Sequence, residues 1–209
     1  MSRKRLTLLS DGATDQALLS VTRWLLRRHA ITPFEQNWAD LRRLRRPPAR
    51  LVDRVSAARE LYPCDILAIH RDAEREAPEK RVQEIAEASA NRPMPIVVRV
   101  PVRMTEAWLL FDQAAIRRAS GCPNGTMEMH LPALKHAESV PDPKEVLHEA
   151  LRTASNLTGR RRKHFQPDIR RVADLIDDFG PLGALPSFCS AEESLRNALA
   201  SLGLLRTDL

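Results

Sequence analysis

Short apolar runs alternate with helical patterns through residues 1–121, and this alternation restricts the fold more than any other feature of the sequence. The runs Leu6–Leu9 and Asp65–His70 have the length of strands, and the second is apolar enough for a central parallel strand covered on both faces. A third strand is expected over residues 95–102, and a weaker one around residues 31–38, which Pro33 interrupts. The sequence therefore predicts an α/β fold, with an open sheet of about four mostly parallel strands flanked by helices.

Helical patterns separate and follow these strands. They are expected at residues 14–26, 48–61, 78–90 and 105–121, and later at residues 143–155, 168–178 and 191–202. Prolines punctuate residues 122–143, and the basic segment 158–166 is expected to be a loop. We therefore expect an α/β core over residues 1–121 and, over residues 122–209, a loop-rich and then helical extension packed on it.

The composition favours an anionic partner without establishing one. The chain has 33 lysines and arginines against 27 acidic residues, a net charge of +6, which fits contact with nucleic acid. An arginine-rich, alanine-rich and proline-rich chain also arises from a GC-rich genome, and both explanations stay open. The three cysteines have no metal-binding spacing. No stretch approaches the roughly 20 consecutive apolar residues of a membrane helix, so we expect a cytoplasmic protein without a membrane segment.

Carboxylates follow several of the predicted strands. Asp11 comes after the first strand, Asp72 and Glu74 after the central one, and Glu106 soon after another. Ligands of an open parallel sheet bind outside the carboxyl ends of its strands, where these turns converge. Carboxylates brought close together repel unless a cation neutralises them, and Mg²⁺ or Mn²⁺ suits oxygen ligands. We therefore predict a metal site formed by Asp11, Asp72, Glu74 and Glu106, of which the first three would be catalytic.

Two of these acids, and two residues near them, also have an ordinary structural interpretation. Asp72 could cap the turn that follows it, and Glu74 could belong to a solvated run of charges. Asp15, in the first helical turn, is assigned mainly to the helix dipole. His70, at a strand end, could bind a metal or carry a proton, but a structural hydrogen-bonding role is the more common one.

Basic residues offer two candidate contacts with nucleic acid. Phosphate contacts are expected from the segment Arg160, Arg161, Arg162 and Lys163, although a solvated loop is an equal alternative. Arg103, like Arg99, could approach the acidic edge and hold a phosphate with its guanidinium fork.

Several short motifs resemble the Toprim fold of topoisomerases, primases and overcoming-lysogenization-defect nucleases. They are SDGATD after the first strand, HRDAE after the central strand, VPVRMTEAWLLFD, and LPSF before the last helix. Together they resemble, over nearly the whole chain, a bacterial Toprim-like family of unknown function. Members of that family often accompany ATPases in mobile or defence-associated gene clusters.

The resemblance implies roles for particular residues. Asp11 takes the place of the family's first acid, and Asp72 and Glu74 take the places of its Asp-x-Asp pair. Glu106 matches a further acid near a strand end. The first acid of Toprim enzymes is usually glutamate, so the shorter Asp11 puts proton transfer in doubt more than metal binding.

The leading functional expectation is a Toprim-like phosphodiesterase or nuclease that depends on Mg²⁺ or Mn²⁺, in the role of an effector in an ATPase-associated phage-defence system. The alternatives are a non-catalytic nucleic-acid-binding or regulatory subunit of an ATPase complex, and a domain that binds a small phosphate compound. The chain contains no P-loop, no dinucleotide-binding glycine motif and no serine-hydrolase elbow. Self-association into a homo-oligomer stays open.

Overall fold

The computed structural model describes residues 3–72, 77–90, 94–99 and 105–207. Its four-stranded sheet has the order β2-β1-β3-β4, and every pair of neighbouring strands is parallel. The strands are β1 (Lys4–Leu9), β2 (Phe34–Trp38), β3 (Ile66–His70) and β4 (Ile96–Arg99). The predicted α/β class with a parallel sheet flanked by helices is confirmed.

The order of the strands creates a crevice at the carboxyl edge of the sheet. From β1 the chain crosses to β2 on one side, then passes back over β1 to β3 on the other. The connections that leave β1 and β3 therefore run in opposite directions, which opens a crevice between these two strand ends. Ligands of open α/β sheets bind at such a point.

Eight α-helices lie within the described residues, accompanied by short 3-10 turns. One of these turns, Thr14–Ala17, leads directly into α1, and another spans Thr105–Leu109. The helices are α1 (Leu18–His29), α2 (Leu51–Leu61), α3 (Pro78–Ser89), α4 (Gln113–Ala119), α5 (Pro143–Ala154), α6 (Gly159–Lys163), α7 (Ile169–Leu175) and α8 (Pro186–Ser201). None of the described helices combines the length and apolar character needed to cross a membrane.

Alternate residues of the strands pack on opposite faces of the sheet, as the two-residue period of a strand requires. Leu6, Leu8, Ile66 and Ala68 join a cluster with α1, α4, α5, α7 and α8. Leu9, Leu67 and Ile69 join a smaller cluster with α2 and α3. Because both faces are covered, β3 is completely buried.

Helices beyond residue 121 contribute to the larger cluster. Phe188 of α8 packs edge-on against Trp108 at a centroid distance of 5.4 Å, and its ring lies 6.4 Å from that of Trp24. Ser194, also on α8, accepts a hydrogen bond from the backbone N–H of Val98 at 2.9 Å. The division of the chain at residue 121 stays a prediction.

Some predicted boundaries were wrong. The segment 158–166 is not entirely a loop, since Gly159–Lys163 forms α6, in which arginine and lysine are good helix formers. The last helix begins at Pro186 rather than residue 191, because proline suits the first turn of a helix. Strand β2 begins only at Phe34, after Pro33.

The packing of α8 leads to a prediction about stability. Phe188→Ala removes a fully buried ring between two tryptophans, so we expect the free energy of unfolding to fall by about 3–5 kcal/mol. Val82→Ala, on the exposed face of α3, is the matched control and should change it by less than about 0.5 kcal/mol. Urea unfolding, followed by tryptophan fluorescence and circular dichroism, measures both. A small loss for Phe188→Ala would contradict this packing.

Candidate metal centre

The turn after β1 directs Asp15 back towards the sheet. Ser10 accepts a hydrogen bond from Trp38 Nε1 at 3.0 Å and donates one to the carbonyl oxygen of Gly12 at 3.1 Å. The backbone N–H of Gly12 donates to Asp15 Oδ2 at 2.7 Å. This leaves Asp15 Oδ1 for other partners, in a residue that is only 4% exposed.

His70 ends β3, and its side chain is completely buried at the same edge. Its Nε2 atom lies 3.1 Å from Asp72 Oδ1, 3.7 Å from Asp15 Oδ1 and 3.3 Å from Thr105 Oγ1. Residues from three separate segments of the chain therefore surround one imidazole nitrogen. They follow β1, follow β3, and open the 3-10 turn Thr105–Leu109.

Asp15, His70 and Asp72 form the one group among the described residues whose geometry could hold a metal ion. One ligand atom from each lies within 4.8 Å of the others. Asp72 Oδ1 contacts His70 Nε2, and the other ring nitrogen, Nδ1, is buried without a hydrogen-bond partner among the described residues. Two carboxylates and an imidazole are donor types that suit a divalent metal ion. We call these three residues the metal centre.

Neighbouring carboxylates act to raise the pKa values of both Asp15 and His70. Burial raises the pKa of Asp15, and the charges of Asp72 and Asp11 add to this, although His70 and the Gly12 N–H act in the opposite direction. Burial lowers the pKa of His70, but its contact with Asp72 and the charges of Asp15, Asp72 and Asp11 outweigh that effect and leave the pKa raised.

Glu106 is only 3% exposed and lies on the same 3-10 turn as Thr105. Burial raises the pKa of its carboxyl group, and the negative charges of Asp72 and Asp15 raise it further. Glu106 is therefore close enough to sense both carboxylates, although it is outside the group of three ligand atoms. Its predicted role as a metal ligand stays a prediction.

Asp11 lies beside the metal centre and is engaged by two arginines. Arg54 contacts Asp11 Oδ1 at 2.5 Å and the Ser10 carbonyl oxygen at 2.6 Å. Arg71 Nε lies 2.9 Å from Asp11 Oδ2, and its Nη1 lies 3.6 Å from Glu84 Oε2. The side chain of Asp11 is more than one-third exposed. The roles of Asp11 in metal binding and catalysis stay predictions. In this structure its partners are the side chains of Arg54 and Arg71.

The structure describes only some of the remaining predicted site residues. Glu74 and Arg103 lie outside the described residues. Arg160, Arg161 and Lys163 are exposed on α6, whereas Arg162 pairs with Glu149 of α5. Nucleic-acid binding by this helix stays a prediction.

The sequence pointed to Asp72 but assigned Asp15 and His70 mainly to structural roles. Asp15 lies in a first helical turn, where an acid also offsets the helix dipole, and His70 is a single histidine at a strand end. The sequence did contain one signal for them. Asp15, His70 and Asp72 all lie at or just after the ends of two predicted strands, β1 and β3, which are neighbours in the sheet.

Comparisons with family models, with curated proteins and with solved structures find no match for this chain. The resemblance to Toprim proteins therefore stays a prediction from the sequence.

The buried Glu106 gives a prediction about pH. Because its pKa in the folded protein is above the ordinary 4.5, the native state binds this proton more tightly than the unfolded chain. The associated stability is present below pH 4.5 and is lost as the pH rises through the folded pKa. Glu106→Gln cannot ionise, so its free energy of unfolding should increase relative to wild type as the pH rises above 4.5.

Urea unfolding between pH 4 and 8 in EDTA measures this difference. Glu193→Gln is the control, because that side chain is exposed and has no ion pair among the described residues, so its difference from wild type should stay small at every pH. Parallel curves for Glu106→Gln and wild type would contradict the effect of burial.

Proposed function

We propose that this protein is a divalent-metal-dependent phosphodiesterase that cleaves nucleic acid. The observation that carries the proposal is the metal centre in the crevice between β1 and β3. There a buried imidazole nitrogen lies 3.1 Å and 3.7 Å from oxygens of Asp72 and Asp15. Two carboxylates and one imidazole at a strand-end crevice are suited to a metal-assisted hydrolysis.

The donor types favour Mn²⁺ over Mg²⁺. Carboxylate oxygens suit both ions, whereas an imidazole ligand is typical of transition metals. Asp15, His70 and Asp72 would hold the ion, in place of the Asp11, Asp72, Glu74 and Glu106 set expected from the sequence. When bound, the ion would polarise a phosphate and lower the pKa of an attacking water molecule.

The neighbouring side chains have complementary roles in this proposal. The guanidinium of Arg71, shared between Asp11 and Glu84, can exchange these carboxylates for phosphate oxygens of a substrate. Arg54, on the other oxygen of Asp11, orients that aspartate and with it Arg71. Glu106 retains its proton to a higher pH than an exposed glutamate, which suits the delivery of a proton to a leaving oxygen.

A nucleic-acid substrate is supported by charge. The chain has a net charge of +6, and Arg160, Arg161 and Lys163 of α6 are exposed. Phosphate contacts of this kind weaken as salt concentration rises, because bound counterions are released on association. As expected from the sequence, we also propose a cytoplasmic location, a relationship to Toprim proteins and an ATPase partner.

A second candidate function has one observation in its favour. Asp11 occupies the place of the first Toprim acid, yet two arginines neutralise it. A carboxylate whose two oxygens each contact a guanidinium group is poorly placed to bind a metal ion. This favours a non-catalytic subunit that binds nucleic acid or regulates an ATPase partner.

Replacement of Asp72 tests the metal centre. We expect Mn²⁺ to raise the melting temperature of the wild-type protein and to support cleavage of plasmid DNA or of RNA. Asp72→Asn keeps the shape of the side chain but loses its charge, so both effects should disappear. The control is Asp177→Asn, at a side chain that is 89% exposed, which should retain both.

The outcomes separate the two candidate functions. Loss of both effects in Asp72→Asn supports the enzyme. Stabilisation by Mn²⁺ that depends on Asp72, without cleavage of either nucleic acid, supports the non-catalytic subunit. Cleavage that survives in the Asp72→Asn protein would contradict the assignment of the metal centre.

A further inference from the structure

The side chain of Trp38 reaches from the end of β2 to the turn that orients Asp15. Trp38 is the last residue of β2 and pairs with Leu8 of β1, close to Ser10. Its Nε1 atom donates a hydrogen bond to Ser10 Oγ at 3.0 Å. Strand β2, which does not pair with β3, is thereby connected to the metal centre.

The hydroxyl group of Ser10 extends this connection to Gly12. A hydroxyl group has one hydrogen to donate, and here it is donated to the carbonyl oxygen of Gly12 at 3.1 Å. Ser10 is only 6% exposed, so water competes little for this bond. The backbone N–H of the same glycine donates to Asp15 Oδ2 at 2.7 Å. Three consecutive hydrogen bonds therefore join the indole of Trp38 to a carboxylate of the metal centre.

Gly12 needs contacts of this kind because glycine has the freest backbone of all residues. A turn that contains it is not fixed by its own dihedral angles alone. The bond from the Ser10 hydroxyl holds the carbonyl group of Gly12, and the bond to Asp15 holds its N–H. Without the first bond the N–H is free to turn away from Asp15. The other oxygen of Asp15, which lies 3.7 Å from His70 Nε2, would then lose its fixed direction.

The indole ring of Trp38 is itself held in place. The guanidinium of Arg42 lies 4.8 Å from the ring centroid, a cation–π contact. Arg42 Nε in turn donates a hydrogen bond to Asp40 Oδ1 at 2.8 Å, and the side chain of Asp40 is only 9% exposed. The donor at the start of the chain of hydrogen bonds therefore has a fixed position, which the support of a precise site requires.

Arg54 also contacts the turn, but on the other side of Gly12. Its guanidinium donates to the carbonyl oxygen of Ser10 and to Asp11 Oδ1, and neither bond reaches the carbonyl group of Gly12. Trp38 also has an ordinary structural reason for its bond, since a partly buried indole N–H needs an acceptor. Metal affinity distinguishes that structural role from a role in positioning Asp15.

We propose that Trp38 and Ser10 are positioning residues of the metal centre. They keep Gly12 in the conformation that binds Asp15 Oδ2, and so keep Asp15 Oδ1 directed towards the place of the ion. Residues that orient metal ligands in this way typically change metal affinity by roughly 10- to 100-fold. The inference rests on the metal centre of the proposed function, but not on the cleavage of nucleic acid.

The dissociation constant for Mn²⁺, measured by isothermal titration calorimetry, tests the proposal. Ser10→Ala removes the hydroxyl group and should raise Kd roughly tenfold. Trp38→Phe keeps an aromatic ring but removes the N–H donor, and should raise Kd by roughly three- to tenfold, since the hydroxyl group remains. Because both residues act through one chain of hydrogen bonds, the double variant should bind Mn²⁺ about as weakly as Ser10→Ala alone.

Matched variants elsewhere in the chain are the controls. Trp24→Phe alters a tryptophan that packs against Phe179 and Phe188, and Ser89→Ala removes a hydroxyl group that bonds within α3. Both should bind Mn²⁺ as tightly as wild type. The melting temperature of every variant is also measured in EDTA. A lower melting temperature with an unchanged Kd for Ser10→Ala and Trp38→Phe is the result of a purely structural role, and would overturn the proposal.

The outcomes distinguish this proposal from the proposed function. Mn²⁺ binding that is lost in Asp72→Asn but unchanged in Trp38→Phe and Ser10→Ala overturns the positioning role and leaves the metal centre intact. Fully additive effects of the two variants contradict a single chain of hydrogen bonds. Weakened binding in both variants, in a protein that cleaves no nucleic acid, supports the positioning role although the enzyme fails. Absence of Mn²⁺ binding by the wild type overturns both proposals.

Discussion

Pairing of β1 with β3 is the interaction on which the candidate site depends. It places the turn Ser10–Gly12 beside the end of β3, although more than 50 residues separate them in sequence. Because helices cover both faces, the end of β3 is buried and His70 has no access to water. The hydrogen bond from Gly12 to Asp15 then directs a second carboxylate to the same point. The fold itself therefore creates the cluster of charges.

The electrostatic cost of bringing these acids together favours a role in binding a cation. Asp15 and Glu106 are buried carboxyl groups with raised pKa values, and Asp11 requires two arginines. A structure that needed only stability would gain little from burying these acids, since an unpaired buried charge is expensive. A divalent cation bound as proposed would lower that cost by neutralising Asp15 and Asp72 together.

Much of the fold was predictable because strand signals are local. The apolar run that ends at His70 and the β-branched residues of β4 favour strands on local sequence alone. The alternation of these strands with helices then implies a parallel sheet. Asp72 could be predicted for the same reason, since it follows a buried strand. Asp15 could not, because its orientation depends on a hydrogen bond within the Gly12 turn that no spacing reveals. The pairing of Asp11 with Arg54 likewise depends on how α2 packs against the sheet.

The most direct test of the metal centre is anomalous diffraction from crystals grown with Mn²⁺. We predict one strong peak within coordination distance of a carboxylate oxygen of Asp15, Nε2 of His70 and a carboxylate oxygen of Asp72. At saturating Mn²⁺, a peak bound only by exposed acids, or no ion among these three side chains, would contradict the account.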